Sequence, residues 1–177
     1  NAHSQAPSPV SALMSGVLLS VAFYAILRVK AISDLALGPD LMRLLLTVAG
    51  LLSLLVSGLL ILTQRDYKRM LAYSSIEHMG ILALGAAVGG PLATAAVLLH
   101  ILGHGLAKAT LFVLAGRILT VARTSRIEGV HGLLASNPHL GRRFVVGTAA
   151  LLGFPPFGLF FTEVAILIAG FQAGLGV

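Results

Sequence analysis

Residues 92–121 read LATAAVLLHILGHGLAKATLFVLAGRILTV, and this apolar run exceeds the roughly 20 residues that an α-helix needs to cross a bilayer. Its interior nevertheless carries His100, His104 and Lys108. Ionisable side chains inside a membrane helix are costly and usually face a partner group or water. The segment therefore predicts a transmembrane helix packed among other helices, with a functional role for its polar side chains.

The composition of the 177-residue chain agrees with a membrane protein. The chain is 57% hydrophobic and 10% charged, with a mean hydropathy of +0.97, whereas soluble domains are about 25% charged. It contains no cysteine, which excludes disulfides, thiolate metal sites and cysteine-ligated iron–sulfur clusters. The net charge of +6 comes from basic residues between apolar runs, so it predicts membrane orientation and no nucleic-acid partner.

Five apolar segments predict an all-α integral membrane protein with about five transmembrane helices, lying in the lipid bilayer as one unit. They cover residues 9–29, 41–62, 70–88, 92–121 and 144–171, with polar loops at 63–69 and 122–143. The chain starts without Met or a basic leader and stops shortly after an apolar run. We therefore expect an internal part of a longer polytopic protein.

The distribution of basic residues predicts the orientation of these helices. Eight Lys and Arg residues lie on the side of the N-terminus, in or beside the two polar loops, and three lie on the opposite side. Because cytoplasmic loops carry an excess of Lys and Arg, the N-terminus and both loops are expected in the cytoplasm. The basic run at residues 65–69 is expected to anchor the chain at the membrane surface.

The fifth apolar segment is interrupted by GFPPFG at residues 153–158. Pro155 and Pro156 lack backbone N–H groups, and the flanking Gly153 and Gly158 allow unusual dihedral angles. Broken helices of this kind recur at ion sites in transporters. Glu163 follows five residues later, so we predict a helix broken at the prolines with Glu163 beside an ion path. The alternative is an ordinary kink with Glu163 near the helix end.

His100, His104 and Lys108 are spaced i, i+4, i+8, which places them in one polar stripe roughly 12 Å long. Histidine exchanges protons near neutral pH, and a desolvated lysine can do so as well. The stripe therefore predicts a proton relay. The alternative is that the histidines join neighbouring helices and the lysine reaches an interface. No further His or Cys completes a metal-binding pattern, so no metal site is expected.

Glu77 and His78 are adjacent in the third apolar segment. Neighbouring residues on a helix point about 100° apart, so one of the two can face the interior of the bundle while the other packs against a neighbour. We predict that His78 joins the relay. A structural polar contact is the alternative reading for either residue.

Four motifs, in this order, resemble the antiporter-like membrane subunits of respiratory complex I and of membrane-bound hydrogenases. They are NAHSQAP at residues 1–7, RDYKRMLAYSSIEHMG at 65–80, residues 100–111, and GFPP at 153–156. The first two are most similar to the hydrogenase branch, of which component F of hydrogenase 4 is an example.

The resemblance implies a fold of roughly fourteen helices, built from two inverted five-helix units with one broken helix each. This chain would supply the last helix of the first unit and four helices of the second. The resemblance also implies a bacterial or archaeal plasma membrane, other membrane subunits as partners, and soluble redox subunits as indirect partners. The subunit itself would carry no cofactor and do no redox chemistry.

Residue roles follow from the same resemblance. His78, His104 and Lys108 match relay positions of the family, and Glu163 matches the terminal residue that connects the proton path to the outside. The position of the family's central lysine is Ser20 here, so Lys108 is expected to take the middle position. The implied function is proton translocation driven by redox partners. The alternatives are a subunit of a multisubunit Na⁺/H⁺ antiporter and a non-conducting membrane scaffold.

Overall fold

A computed structural model describes residues 6–174, and all regular elements in this range are helical. The main helices are α1 Ser8–Leu37, α2 Asp40–Leu62, α3 Tyr67–Val88, α4 Gly90–Ala122, α5 Pro138–Leu151 and α6 Gly158–Gln172. The first four are long and apolar enough to cross a membrane, and α6 is a shorter apolar helix. The predicted all-α membrane fold is therefore confirmed. Residues 1–5 of the first motif lie outside the described residues.

Helix α1 runs to Leu37, eight residues beyond the predicted end at residue 29. Arg28 and Lys30 do not end the helix, because Lys30 pairs with Asp34 one turn further along and both charges stay on the helical surface. The helix ends where Gly38 adopts a φ of +83°. Near its start, Met14–Leu18 forms a π-turn, a local widening that often occurs at functional sites.

The N-terminus of α3 is tied to the loop that follows α4. The Asp66 side chain accepts the Arg69 N–H at 3.0 Å as the helix cap and also accepts the Ser125 hydroxyl. The Tyr67 N–H donates to the Ser125 carbonyl at 3.1 Å. These contacts satisfy backbone donors that the first turn of a helix leaves unpaired, so both polar loops meet at one end of the bundle.

The predicted surface anchor at residues 65–69 is only partly correct, because two of its residues are buried. Tyr67 donates its hydroxyl to the Ala115 carbonyl at 3.2 Å, and Lys68 donates to the Ala6 carbonyl at 3.2 Å. Arg65 and Arg69 remain exposed. The basic run therefore holds helices together as well as offering two charges to a membrane surface.

Helix α4 lies at the centre and packs against α1, α3, α5 and α6. One apolar cluster surrounds Leu111 and Phe112 in its second half, and another includes Val97 in its first half and Leu82 of α3. Helix α2 packs mainly on α3. Because α4 touches the elements on every side of it, the side chains of its polar stripe are enclosed by protein.

The crossing of α1 and α4 depends on two glycines. A Cβ on Gly105 would lie 2.7 Å from the Gly16 carbonyl oxygen, and a Cβ on Gly16 would lie 2.8 Å from the Gly105 carbonyl oxygen. Small residues let membrane helices approach closely in this way. The crossing fixes α1 directly beside the polar stripe of α4.

We expect Gly105→Ala to lower the thermal stability of the full-length protein in detergent, by about 1–3 kcal/mol, because the added carbon meets backbone that cannot rotate away. Gly58→Ala is the matched control, since a Cβ on this helical glycine has nothing within 4 Å. It should leave the melting temperature unchanged or slightly higher. Equal melting temperatures for the two variants would contradict the close crossing.

Candidate functional site

Three helices bring a row of ionisable side chains together inside the bundle. Helix α4 contributes His100, His104 and Lys108, each with 0% of its surface exposed, and α3 contributes His78 with 5% exposed. Helix α6 contributes Glu163, which is half-buried. Polar side chains enclosed to this degree need internal partners or water, so the contacts of each one define what the row can do.

Lys108 forms one end of the row. Its Nζ donates to the Ser74 hydroxyl at 2.6 Å and to the Leu71 carbonyl. Among residues 6–174, no carboxylate forms an ion pair with it. A lysine held only by neutral oxygens can be charged or neutral without breaking an ion pair, which is what a group that passes protons on requires.

His104 lies one helical turn from Lys108 and is the least satisfied member of the row. Neither Nδ1 nor Nε2 has a hydrogen-bond partner among the described residues, and both atoms are buried. Its ring centroid lies 4.9 Å from that of His78. An unsatisfied buried polar group costs about 1–3 kcal/mol, so this environment calls for a solvent contact at His104.

His78 and His100 form a direct pair. The His78 Nδ1 and the His100 Nε2 are 3.0 Å apart, and the His100 Nδ1 is 2.8 Å from the Thr162 hydroxyl. Thr162 donates its single hydroxyl proton to the Leu159 carbonyl at 2.8 Å. The Thr162 oxygen therefore accepts from the His100 Nδ1, and the Nε2 lone pair of His100 points at His78.

The broken helix brings Glu163 to this pair. Gly153 has a φ of +64°, and a Cβ on it would lie 2.5 Å from Glu163 Oε2, so the carboxylate rests directly on the glycine. Ligand atoms of His78, His100 and Glu163 all lie within 4.8 Å of one another. The interruption therefore leaves space for a carboxylate beside two imidazoles.

The remaining residues singled out in the sequence lie around the row. Pro155, Pro156 and Gly158 are exposed and shape the break without touching the row. The Ser20 hydroxyl donates to the Gly16 carbonyl at 2.7 Å. It is also close to Gly105, since a Cβ there would lie 3.3 Å from it. Ser20 thus lies at the crossing of α1 and α4.

Sequence reasoning did not identify three groups that complete the row: the Thr162 hydroxyl, the Ser74 hydroxyl and the Leu71 carbonyl. A fourth, the Ser15–Ser75 pair with hydroxyls 3.0 Å apart, joins α1 to α3 close to Lys108. Thr162 directly precedes Glu163, and the two serines lie in the motif at residues 65–80. Those positions were the only signals available, because a carbonyl contact depends on tertiary packing.

The sequence matches the family described as "NADH:quinone oxidoreductase/Mrp antiporter, TM" over residues 1–177. It is 44% identical over 97% of its length to the hydrogenase-4 component F homolog of Methylacidiphilum infernorum and covers 36% of that protein. The chain thus spans about a third of this curated relative.

Two solved structures have the same fold. One is the membrane-bound sulfane sulfur reductase, an archaeal respiratory membrane complex, with a TM-score of 0.90, 28% identity and coverage of 98% of this chain and 36% of that one. The other is the Mrp complex of Dietzia sp., with a TM-score of 0.83, 26% identity and coverage of 99% of this chain and 32% of that one.

We expect Gly153→Ala to destabilise the protein more than Gly132→Ala does. Gly132 has nearly the same φ, +62°, but a Cβ on it has nothing within 4 Å, so it reports the backbone strain alone, about 1–2 kcal/mol. The excess at Gly153 arises from the clash with the Glu163 carboxylate. It should disappear when Glu163→Ala is introduced as well, in a double-mutant cycle of thermal stability. Purely additive effects would place the carboxylate elsewhere.

Proposed function

The chain belongs to the NADH:quinone oxidoreductase/Mrp antiporter transmembrane family, and from this we propose that it carries protons through the buried row of side chains. As a family member it is an antiporter-like membrane subunit, a role consistent with proton translocation. The proposed path runs from Lys108 to His104, then to the His78–His100 pair, and leaves past Glu163.

The enclosure of the row carries this proposal. Lys108, His104 and His100 are fully buried, and each is titratable, so the helices surround groups that can gain and lose protons. Neighbours along α4 are one turn apart, about 6 Å, a gap that one water molecule bridges. The hydrogen bond between His78 and His100 supports a direct transfer further along the path.

The position of the row supports a direction. Lys108 contacts Leu71 and Ser74 in the first two turns of α3, on the side of the two basic loops. Eight Lys and Arg residues lie on that side, and the positive-inside rule assigns it to the cytoplasm. We infer that protons enter near Lys108 from the cytoplasm of a bacterial or archaeal cell and leave through the plasma membrane past Glu163.

Partner subunits are the proposed source of energy. The relatives that match include a hydrogenase component homolog and a respiratory membrane complex, so we infer that this subunit works beside other membrane subunits. Electron transfer in soluble redox subunits would change the electrostatic field along the row and thereby drive proton steps. The side chains described above handle protons and need no cofactor for that task.

A second candidate function is Na⁺/H⁺ exchange. It is favoured by the likeness to the Mrp complex and by the Glu163 carboxylate at the break, because carboxylate and backbone oxygens suit a hard cation. The non-conducting scaffold is disfavoured by His104, since a dry scaffold would leave two buried nitrogens unsatisfied in the described part of the chain.

We expect Lys108→Met to reduce proton translocation to background while the complex still assembles. An apolar side chain of similar volume replaces a buried cation at little cost in stability, so loss of transport would report loss of the proton carrier. The measurement is quenching of a pH-sensitive dye in membrane vesicles, with the amount of assembled complex determined in parallel.

Lys30→Met is the control for this experiment. It removes a lysine that pairs with Asp34 on α1, outside the buried row, and should leave translocation unchanged. A normal ratio of protons to electrons in the Lys108 variant would refute the assignment.

Ion dependence separates the two transport functions. For a redox-driven proton path, we expect the rate of proton translocation in vesicles to be the same when Na⁺ is replaced by choline. If the subunit exchanges Na⁺ for H⁺, a Na⁺ gradient alone will move protons, without any electron donor, and Glu163→Gln will abolish that movement. The latter result would replace the first candidate by the second.

A further inference from the structure

We propose that His78, His100 and Glu163 form a binding site for a divalent transition-metal ion, with Zn²⁺ as its representative, at the outer end of the row. The sequence predicts no metal site, because these residues are far apart in the chain and follow no ligand spacing. The fold brings them together from α3, α4 and α6, with all three ligand atoms within 4.8 Å of one another.

The spacing of the two imidazoles fits a tetrahedral metal ion. With metal–nitrogen distances of 2.0–2.1 Å, two ligand atoms in a tetrahedral site lie about 3.3 Å apart, and the Nδ1 of His78 and the Nε2 of His100 are 3.0 Å apart. A shift of a few tenths of an ångström therefore makes room for the ion. The flexible Glu163 side chain has to close the remaining distance.

The hydrogen bonds of His100 prepare it as a ligand. Its Nδ1–H donates to Thr162, whose own proton is engaged by the Leu159 carbonyl. This contact fixes the tautomer in which Nε2 has a free lone pair. Metal-bound histidines usually donate their second ring N–H to such a partner, which orients the ring.

The set of donor atoms selects the class of ion. Two imidazoles and one carboxylate suit Zn²⁺ and similar transition metals, whereas Mg²⁺ and Ca²⁺ prefer sites built from oxygen alone. Three protein ligands leave a fourth position for water. Both histidines are buried, and half-buried Glu163 lies beside the break at Gly153, so the break is the side from which an ion reaches the site.

Binding of the ion has a consequence for transport. The metal would occupy the two nitrogen atoms that exchange a proton between His78 and His100, and metal binding requires deprotonated ligands. Proton transfer along the row would stop there. This inhibition rests on the proposed function, whereas the binding itself does not.

Zn²⁺ and Co²⁺ test the site in the full-length protein, purified with its partner subunits. We expect the X-ray absorption spectrum of bound Zn²⁺ to show two imidazoles and one carboxylate, and bound Co²⁺ to give the visible bands of a four-coordinate ion. His100→Asn and Glu163→Gln should each weaken binding by at least about tenfold. His139→Asn, which removes an exposed histidine, should leave binding unchanged.

The possible outcomes separate the two proposals. A wild-type spectrum with fewer than two imidazoles, or equal binding by all the variants, overturns the metal site and leaves the proton path intact. Binding with the expected ligands but without inhibition of proton translocation in vesicles supports the metal site and contradicts the path through His78 and His100. Binding with full inhibition supports both.

Discussion

A titratable side chain enclosed in an apolar helix bundle must be given partners, since its desolvation costs several kcal/mol. Lys108 is where this constraint is most severe, because it is fully buried and none of residues 6–174 provides it with a salt bridge. Neutral oxygens of α3 take that role, from the Leu71 carbonyl and the Ser74 hydroxyl. The packing of α4 against α3 and the enclosure of the whole row follow from this requirement.

The same constraint explains the broken helix. A continuous helix in place of α5 and α6 would have no room for a carboxylate against its backbone, whereas the turn at Gly153 leaves the space that Glu163 occupies. Thr162, its neighbour, turns towards His100. The interruption thus joins the second half-helix to the row through one hydroxyl and one carboxylate, which is consistent with broken helices lying at ion sites in other membrane proteins.

Much of the fold was predictable because it depends on local patterns. Apolar length predicts the helices, the two prolines predict the break, and the i, i+4, i+8 spacing predicts that His100, His104 and Lys108 share a face. The end of α1 was misjudged because Lys30 has a partner within the helix.

The partners of the row were not predictable in the same way. They depend on which turns of α3 and α6 face α4, and a carbonyl such as that of Leu71 leaves no trace in the sequence. The likeness between the three ligands of the proposed metal site is likewise visible only once the helices are packed.

Water in the row is the most direct test of the account. In a high-resolution structure of the intact assembly, we expect ordered water molecules between Lys108 and His104, with at least one hydrogen-bonded to a ring nitrogen of His104. A dry contact there, with both His104 nitrogens satisfied by protein groups and Lys108 sealed from solvent, would contradict it.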